Sequence, residues 1–262
     1  MPKAFTLIEL LVVITIIVVL LAMLTPALDQ AIYQAELARC AAQLKQIGSA
    51  ATTYAVDFRQ WYPHRPIVRD SKAPSTIRHG DSDDRPVYRS HIPLSLMLDP
   101  LVPDKVDLNS EAGHIQSSFT SLWFGSRYPD HKGMNRLGDR FEWTTTGPEP
   151  RKYAFNLLAS DSDFISQVHF RFASTSHIDE NNSMAAIPTT DSNLIASYWK
   201  LDTPAIRGPV DFNYALADGS ILRLTKVKTN RTAAENDDRV VPVPFFYSAW
   251  EAADIYQQVP RP

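Results

Sequence analysis

Cysteine and glycine are scarce in this chain of 262 residues, which has one cysteine, Cys40, and nine glycines against 19 prolines. A single cysteine excludes an intramolecular disulfide framework, and the excess of proline over glycine favours stiff loops. The formal net charge is −3, so no excess of positive charge marks a nucleic-acid-binding surface, and no nucleic-acid partner is expected. A chain of this length can nevertheless bury the core of one or two domains without disulfides.

The sequence patterns of common catalytic sites are also missing. The seven histidines form no H-E-x-x-H motif and no close set with the cysteine. There is no G-x-S-x-G elbow, no phosphate-binding loop and no dinucleotide-binding fingerprint. These absences count against a membrane-tethered enzyme, and we expect a protein that is not an enzyme.

One short run offers ligands for a metal ion. The carboxylates of Asp81, Asp83 and Asp84 lie close together in the sequence and could attract calcium. The run lacks the full ligand pattern of a known calcium loop, and a solvated acidic turn is the alternative interpretation. The favoured expectation is therefore that the protein has no cofactor.

Charged side chains are absent from Leu10 to Leu28. Because about 20 apolar residues in a helix span the hydrocarbon core of a bilayer, this run predicts a membrane-spanning segment. A secretory signal peptide fits less well, since the run is too long and no A-x-A-like cleavage site follows it. Lys3 precedes the run and predicts a cytoplasmic N-terminus, with the rest of the chain outside the cytoplasm.

Two residues of this segment need a further explanation. Glu9 places a carboxylate in an apolar run, which is costly and therefore indicates a function, unless the side chain stays hydrated at the membrane interface. Pro26 removes one helical hydrogen bond and predicts a kink or a local opening of the preceding turn.

The residues Lys3-Ala4-Phe5-Thr6-Leu7-Ile8-Glu9 and the apolar run after them resemble the N-terminal signal of type IV prepilins and type II secretion pseudopilins. In that family a prepilin peptidase removes a short basic leader before a phenylalanine, and the new N-terminus is methylated. The resemblance implies cleavage between Ala4 and Phe5, methylation of Phe5, and assembly roles for Phe5, Glu9 and Pro26. Glu9 would pair with the Phe5 amine of a neighbouring subunit. Ala4 departs from the glycine that more often ends the leader.

The same resemblance implies a structural subunit of a type IV pilus-like or type II secretion pseudopilus filament, built from identical or different pilin subunits. Its partners would be those subunits, the prepilin peptidase, the inner-membrane assembly machinery and, before assembly, membrane lipid. Its location would be the inner membrane, crossed once, and then a periplasmic or extracellular filament. The alternative is a membrane-anchored surface binding protein that does not polymerise.

Apolar side chains continue at helical spacing beyond the membrane segment, at Tyr33, Leu37, Cys40, Leu44, Ile47, Ala51, Tyr54 and Phe58. The stripe predicts that this part of the helix packs under a globular head, with Cys40 as a buried, unreactive thiol. We expect a leader at 1–4, a transmembrane and polymerisation helix at 5–28, its amphipathic continuation at 29–60, and a head at 61–262. The expected fold class is α+β and pilin-like, with the long helix packed against an antiparallel sheet that has long loops.

The first half of the head is rich in proline, serine and aspartate, and predicts irregular loops with a turn of helix near Leu94–Leu98. Residues 164–172 have the composition of a strand. Aromatic residues could form a binding surface or pack the core: Trp61, Tyr62, Trp123, Phe124, Trp143 and Trp199.

Towards the C-terminus, alternation over 211–216 followed by Asp218-Gly219 predicts a hairpin with a two-residue turn, in which both central residues need positive φ. The stretch also resembles the C-terminal signature of a pilin-like subfamily, although Gly208 stands where members of that subfamily carry histidine. Ser248 and Glu251 fit a capping box and predict a short final helix that Pro260 ends.

Overall fold

The structure is a computed structural model, and it describes residues 6–63, 76–79, 82–83, 90–97, 114–116, 119–121, 131–132, 135–145, 148–161, 165–166, 210–227, 238–248 and 253–262. The chain divides into two compact units, Met1–Arg39 and Cys40–Pro262.

The described elements are one long helix followed by short strands. Helix α1 spans Leu7–Asp57, and a 3₁₀ helix spans Leu94–Met97, where a helical turn was predicted. The strands are β1 (Thr76–His79), β2 (Ser82–Asp83), β3 (His114–Gln116), β4 (Phe119–Ser121), β5 (His131–Lys132), β6 (Phe141–Thr144), β7 (Lys152–Phe155), β8 (Leu157–Asp161), β9 (Ile165–Ser166), β10 (Val210–Leu216), β11 (Ile221–Val227), β12 (Val240–Ser248) and β13 (Ala253–Pro260). All of the described strand pairs are antiparallel. The α+β fold class is therefore confirmed.

Within the second unit, α1 packs on a four-stranded sheet of order β11-β10-β8-β4. The helix residues Cys40, Leu44, Ile47 and Ala51 are buried, as the apolar stripe predicts, and Ala55, which was not assigned to the stripe, is buried as well. The stripe ends before Phe58, however, whose side chain is 47% exposed.

Gly48 lies where α1 approaches this sheet closely. A Cβ added there would lie 3.5 Å from Cδ2 of Leu158 and 3.7 Å from Cβ of Ala215. Small residues on both sides thus let the helix backbone come near the strands.

The C-terminus of α1 is closed by a Schellman-like bond, in which the Gln60 N–H donates to the Ala55 carbonyl at 2.6 Å. Arg59 and Gln60 have φ of 55° and 70°, in the left-handed region that glycine usually occupies at this place. The Gln60 carbonyl accepts from Leu137 N–H at 2.9 Å, so the helix end is tied to the segment before β6.

Three smaller sheets complete the described head, with orders β2-β1-β3, β5-β6-β7 and β12-β13-β9. Aromatic rings line the β6–β7 pair, where Trp143 stacks on Tyr153 with ring centroids 5.7 Å apart. Of the aromatic residues considered as a binding surface, Tyr62 and Trp143 are buried and Trp61 is 40% exposed beneath the Arg136 guanidinium. Trp123, Phe124 and Trp199 lie outside the described residues.

The predicted C-terminal helix is wrong, because β13 spans Ala253–Pro260 and pairs with β12 along its whole length. A capping box is a local signal, and Ile255, Tyr256 and Val259 suit a strand as well as a helical face. The two-sided pairing with β12 and β9 favours the strand. Of the strand predicted at 164–172, Ile165–Ser166 is a strand and the remaining residues lie outside the described part of the chain.

Strands β10 and β11 form a hairpin, but its predicted turn type is wrong. The Gly219 N–H donates to the Leu216 carbonyl, and the Leu216 N–H donates to the Ser220 carbonyl, both at 2.9 Å. Only Gly219 of the loop has positive φ, at 83°. The loop therefore has three residues and a bulge at the glycine. Hydrogen bonds from the Ser220 hydroxyl and N–H lower the pKa of Asp218 and fix the loop.

Candidate functional site

The candidate site begins at the N-terminus of α1, where Thr6 and Glu9 bind each other. The Thr6 N–H and hydroxyl both donate to Oε2 of Glu9, at 2.8 and 2.7 Å. In return the Glu9 N–H donates to Thr6 Oγ1 at 3.3 Å. This reciprocal arrangement is a capping box, with Thr6 at the N-cap position and Glu9 three residues further on.

The capping box gives Glu9 a local partner in a strongly apolar segment. Its carboxylate satisfies N–H and O–H donors at the start of the helix, and its negative charge lies at the positive end of the helix dipole. No role is predicted for Thr6 from the apolar run or from the processing motif. The T-x-x-E spacing before an apolar run is the signature that could have identified it.

The apolar part of α1 is uncovered. Its best 18-residue window has a mean hydropathy of 3.2, and none of that window is buried within the molecule, so by length and composition α1 can cross a membrane. The threonines of this region are satisfied inside the helix, because the Thr15 and Thr25 hydroxyls donate to the carbonyls of Leu11 and Leu21 at 2.8 and 2.9 Å. A hydroxyl bonded to its own helix is compatible with a hydrocarbon environment.

The structure keeps the predicted assembly residues apart along one helix. Glu9 lies in the first turn of α1, and Pro26 lies within the continuous helix about 25 Å further along. The proposed processing residues Ala4 and Phe5 lie outside the described residues. Asp218 and Gly219 belong to the β10–β11 loop of the second unit.

The calcium hypothesis has no support among the described residues. Asp83 ends β2, while Asp81 and Asp84 lie outside the described part of the chain. Within that part, no group of three histidine, cysteine, aspartate or glutamate side chains is placed to hold a metal ion. Calcium binding at this run stays a prediction.

A second polar cluster, which no sequence pattern indicates, lies in the core of the second unit. Asp161 is fully buried, and its Oδ1 accepts from the Cys40 thiol at 3.1 Å. Its Oδ2 accepts from the backbone N–H of Asn213, also fully buried, at 2.5 Å. Arg223 Nε then donates to Oδ1 of Asn213 at 2.9 Å. The cluster thus joins α1 to β8, β10 and β11, and we assign it a structural role.

The fold and the N-terminal segment together define a class of protein: an α+β head preceded by an N-terminal helix that is long and apolar enough to cross a membrane. Residues 2–25 match the family described as the prokaryotic N-terminal methylation motif. The chain therefore carries the N-terminal motif of type IV pilins and pseudopilins. Proteins of the pilin-type family that carries this motif have structural, not catalytic, roles. No curated protein and no solved structure gives a significant match. The C-terminal subfamily resemblance stays a prediction.

Proposed function

We propose that this protein is a structural subunit of a type IV pilus-like or type II secretion pseudopilus filament, and that it does not act as an enzyme. The observation that carries the proposal is the methylation motif at residues 2–25, whose part from Leu7 onward lies on an uncovered apolar helix. An uncovered helix of this kind can be covered by lipid in the membrane or by the same segment of other subunits in a filament. Movement between these two apolar environments exposes little apolar surface to water.

In this proposal a prepilin peptidase cleaves between Ala4 and Phe5 on the cytoplasmic side of the inner membrane. The new amine of Phe5 is methylated and keeps its positive charge. Within a filament, Glu9 of one subunit pairs with this amine on its neighbour. Opposite charges attract strongly where water is excluded, and removal of one partner leaves an uncompensated charge. Pro26 would let the helix open locally on assembly, because its missing N–H weakens the preceding turn.

The processing step is tested by mass spectrometry of the mature N-terminus. We expect a chain that begins at Phe5 and carries one N-methyl group, in cells that have an active prepilin peptidase. The Ala4→Gly variant restores the residue that more often ends the leader, and we expect it to be processed at least as fast. A chain that keeps Met1 or Pro2 in such cells would contradict the proposal.

Assembly is tested separately with Glu9. We expect Glu9→Gln and Glu9→Ala to insert into the membrane normally, because each removes a charge from an apolar run. Both should lower the ratio of sheared extracellular protein to membrane-bound protein, because the neighbouring amine loses its partner. Asp29→Asn removes an exposed carboxylate of the same helix and is the matched control.

This measurement also separates the two candidate functions. Equal ratios for wild type, both Glu9 variants and the Asp29 control would favour a membrane-anchored surface binding protein that does not polymerise.

A further inference from the structure

Within the part of the chain that the structure describes, strand β11 has one free edge. Among the strands that the structure describes, β11 is the outermost strand of its sheet and pairs with β10 alone. Its residues 221–224 are half-buried, and residues 225 and 226 are exposed. A free edge presents a row of backbone donors and acceptors to which an extended peptide can bind.

The hairpin register decides which backbone groups point outward. The Leu216 N–H donates to the Ser220 carbonyl, and Tyr214 is paired with Leu222. Because hydrogen-bonded and non-hydrogen-bonded pairs alternate in an antiparallel ladder, the N–H and C=O of Leu222 face β10. Those of Ile221 and Arg223 face away from β10, towards the free edge.

The C-terminal end of this edge, at Thr225 and Lys226, is covered by a side chain. The Arg239 guanidinium donates to the carbonyls of Thr225 and Lys226, at 2.7 and 3.0 Å. Lys226 has φ of 54°, and the register shifts at this point, so the strand carries a bulge there. Bulges and covering side chains protect sheet edges against pairing. Among the described residues, this protection does not reach Ile221 or Arg223.

The open stretch carries one basic side chain, Arg223, and a second, Lys226, follows it in the bulge. Arg223 uses its Nε to bind Asn213, and within the described residues the other donors of its guanidinium have no partner. The Lys226 ammonium has no carboxylate partner among those residues either. If two copies paired through this edge, Arg223 of one copy would lie close to Arg223 or Lys226 of the other. Like charges on paired strands are destabilising. The edge therefore fits a negatively charged strand better than a second copy of itself.

We infer that the β11 edge at Ile221–Arg223 is a docking site for a short, extended, acidic segment of another polypeptide chain. Main-chain bonds to Ile221 and Arg223 hold the segment as an added antiparallel strand, and its carboxylates bind Arg223 and Lys226. The site accepts about four residues, because Arg239 blocks the strand from Thr225 onward. This inference does not depend on filament assembly.

The probe is a fluorescent, end-blocked heptapeptide of alternating valine and glutamate, titrated against the full chain in detergent micelles and followed by anisotropy. We expect it to bind wild type and Ile221→Val equally. Ile221→Pro removes an outward N–H and leaves the bonds to β10 in place, and it should weaken binding about tenfold. The double variant R223Q/K226Q should also weaken binding and reduce its dependence on salt.

Two control peptides keep the test decisive even if Ile221→Pro fails to fold, which circular dichroism would reveal. A peptide with lysine in place of glutamate, and the glutamate peptide N-methylated at every backbone nitrogen, should each bind wild type at least tenfold more weakly. Equal binding of the lysine peptide would overturn the charge assignment. Equal binding of the N-methylated peptide, unchanged binding to folded Ile221→Pro, or no binding of the glutamate peptide would overturn the docking site.

Discussion

Removal of the buried Asp161 carboxylate should destabilise the head far more than removal of an exposed one. Asp161→Ala takes the acceptor away from the Asn213 N–H and from the Cys40 thiol, and all three residues are fully buried. A buried donor without a partner costs about 1–3 kcal/mol. The lost thiol bond and the lost side-chain volume add to this cost, so we expect a total of about 2–4 kcal/mol.

Two smaller changes measure separate contributions to this loss of stability. Asp161→Asn keeps the shape but places an amide NH₂ against one of the two donors, and it should cost about 1–3 kcal/mol. Cys40→Ala removes a weak donor and a small volume, and about 1–2 kcal/mol is expected. Because Cys40 and Asp161 are in contact, the cost of the double variant should differ from the sum of the two single costs by at least about 0.5 kcal/mol.

The assay is urea unfolding of the full chain in detergent micelles, followed by tryptophan fluorescence. Trp143 is 8% exposed and reports on the packing of the described head. The shift of the midpoint at an unchanged slope gives the change in unfolding free energy. Asp57→Asn, which removes an exposed carboxylate near the end of α1, is the matched control. If Asp161→Ala costs no more than this control, the cluster does not stabilise the fold and the reasoning fails.

Substitutions at three further positions test local features of the head. Gly48→Ala should raise helix stability by about 0.5–1 kcal/mol in the same urea assay, because its Cβ would meet only ordinary contacts with Leu158 and Ala215; Gly48→Leu should lower stability. Arg59→Gly should add about 0.5–1 kcal/mol by relieving positive φ at the helix end, and a loss of stability would contradict this assignment. Burial raises the pKa of the Tyr62 phenol above 10.0, so the unfolded chain ionises first and stability should fall as pH rises past 10. Tyr62→Phe should reduce that fall between pH 9.5 and 11, and an unchanged fall would assign it to other groups.

The N-terminal helix could be predicted from sequence because its signals are local. A long run without charge and a stripe at helical spacing need no knowledge of distant residues. The same holds for the hairpin, although the number of residues in its loop depends on backbone angles that Asp218-Gly219 alone does not decide.

The buried polar cluster could not be predicted in this way. Asn213 alternates with Phe212 and Tyr214, a pattern that places it opposite the apolar face of a strand, yet all three are buried. The reason is that β10 has covered faces on both sides, and that Asp161, 52 residues earlier, supplies the acceptor for the Asn213 N–H. A contact over this sequence distance leaves no local pattern. The final strand was missed for the same reason, because β13 depends on its pairing with β12.

The capping box reduces the free energy that Glu9 can gain by pairing with a neighbouring subunit. In this structure the carboxylate already has donors in its own helix, the N–H and hydroxyl of Thr6. An isolated subunit therefore does not hold a bare charge, and pairing with the Phe5 amine of a neighbour would exchange one satisfied state for another. The net gain is then smaller than the attraction of the two charges, so the pair would fix the register of subunits more than it would hold them together.

Glutamine and alanine at position 9 separate these two contributions. Glutamine also fits the capping box, so Glu9→Gln keeps the helix start and removes only the charge. Glu9→Ala removes both, and loss of a cap partner costs about 1 kcal/mol at the helix start. If charge pairing alone matters, both variants should show the same low ratio of sheared to membrane-bound protein. If the cap also orders the N-terminus for assembly, Glu9→Ala should be lower than Glu9→Gln, and Thr6→Val, which keeps the carboxylate, should lower the ratio as well.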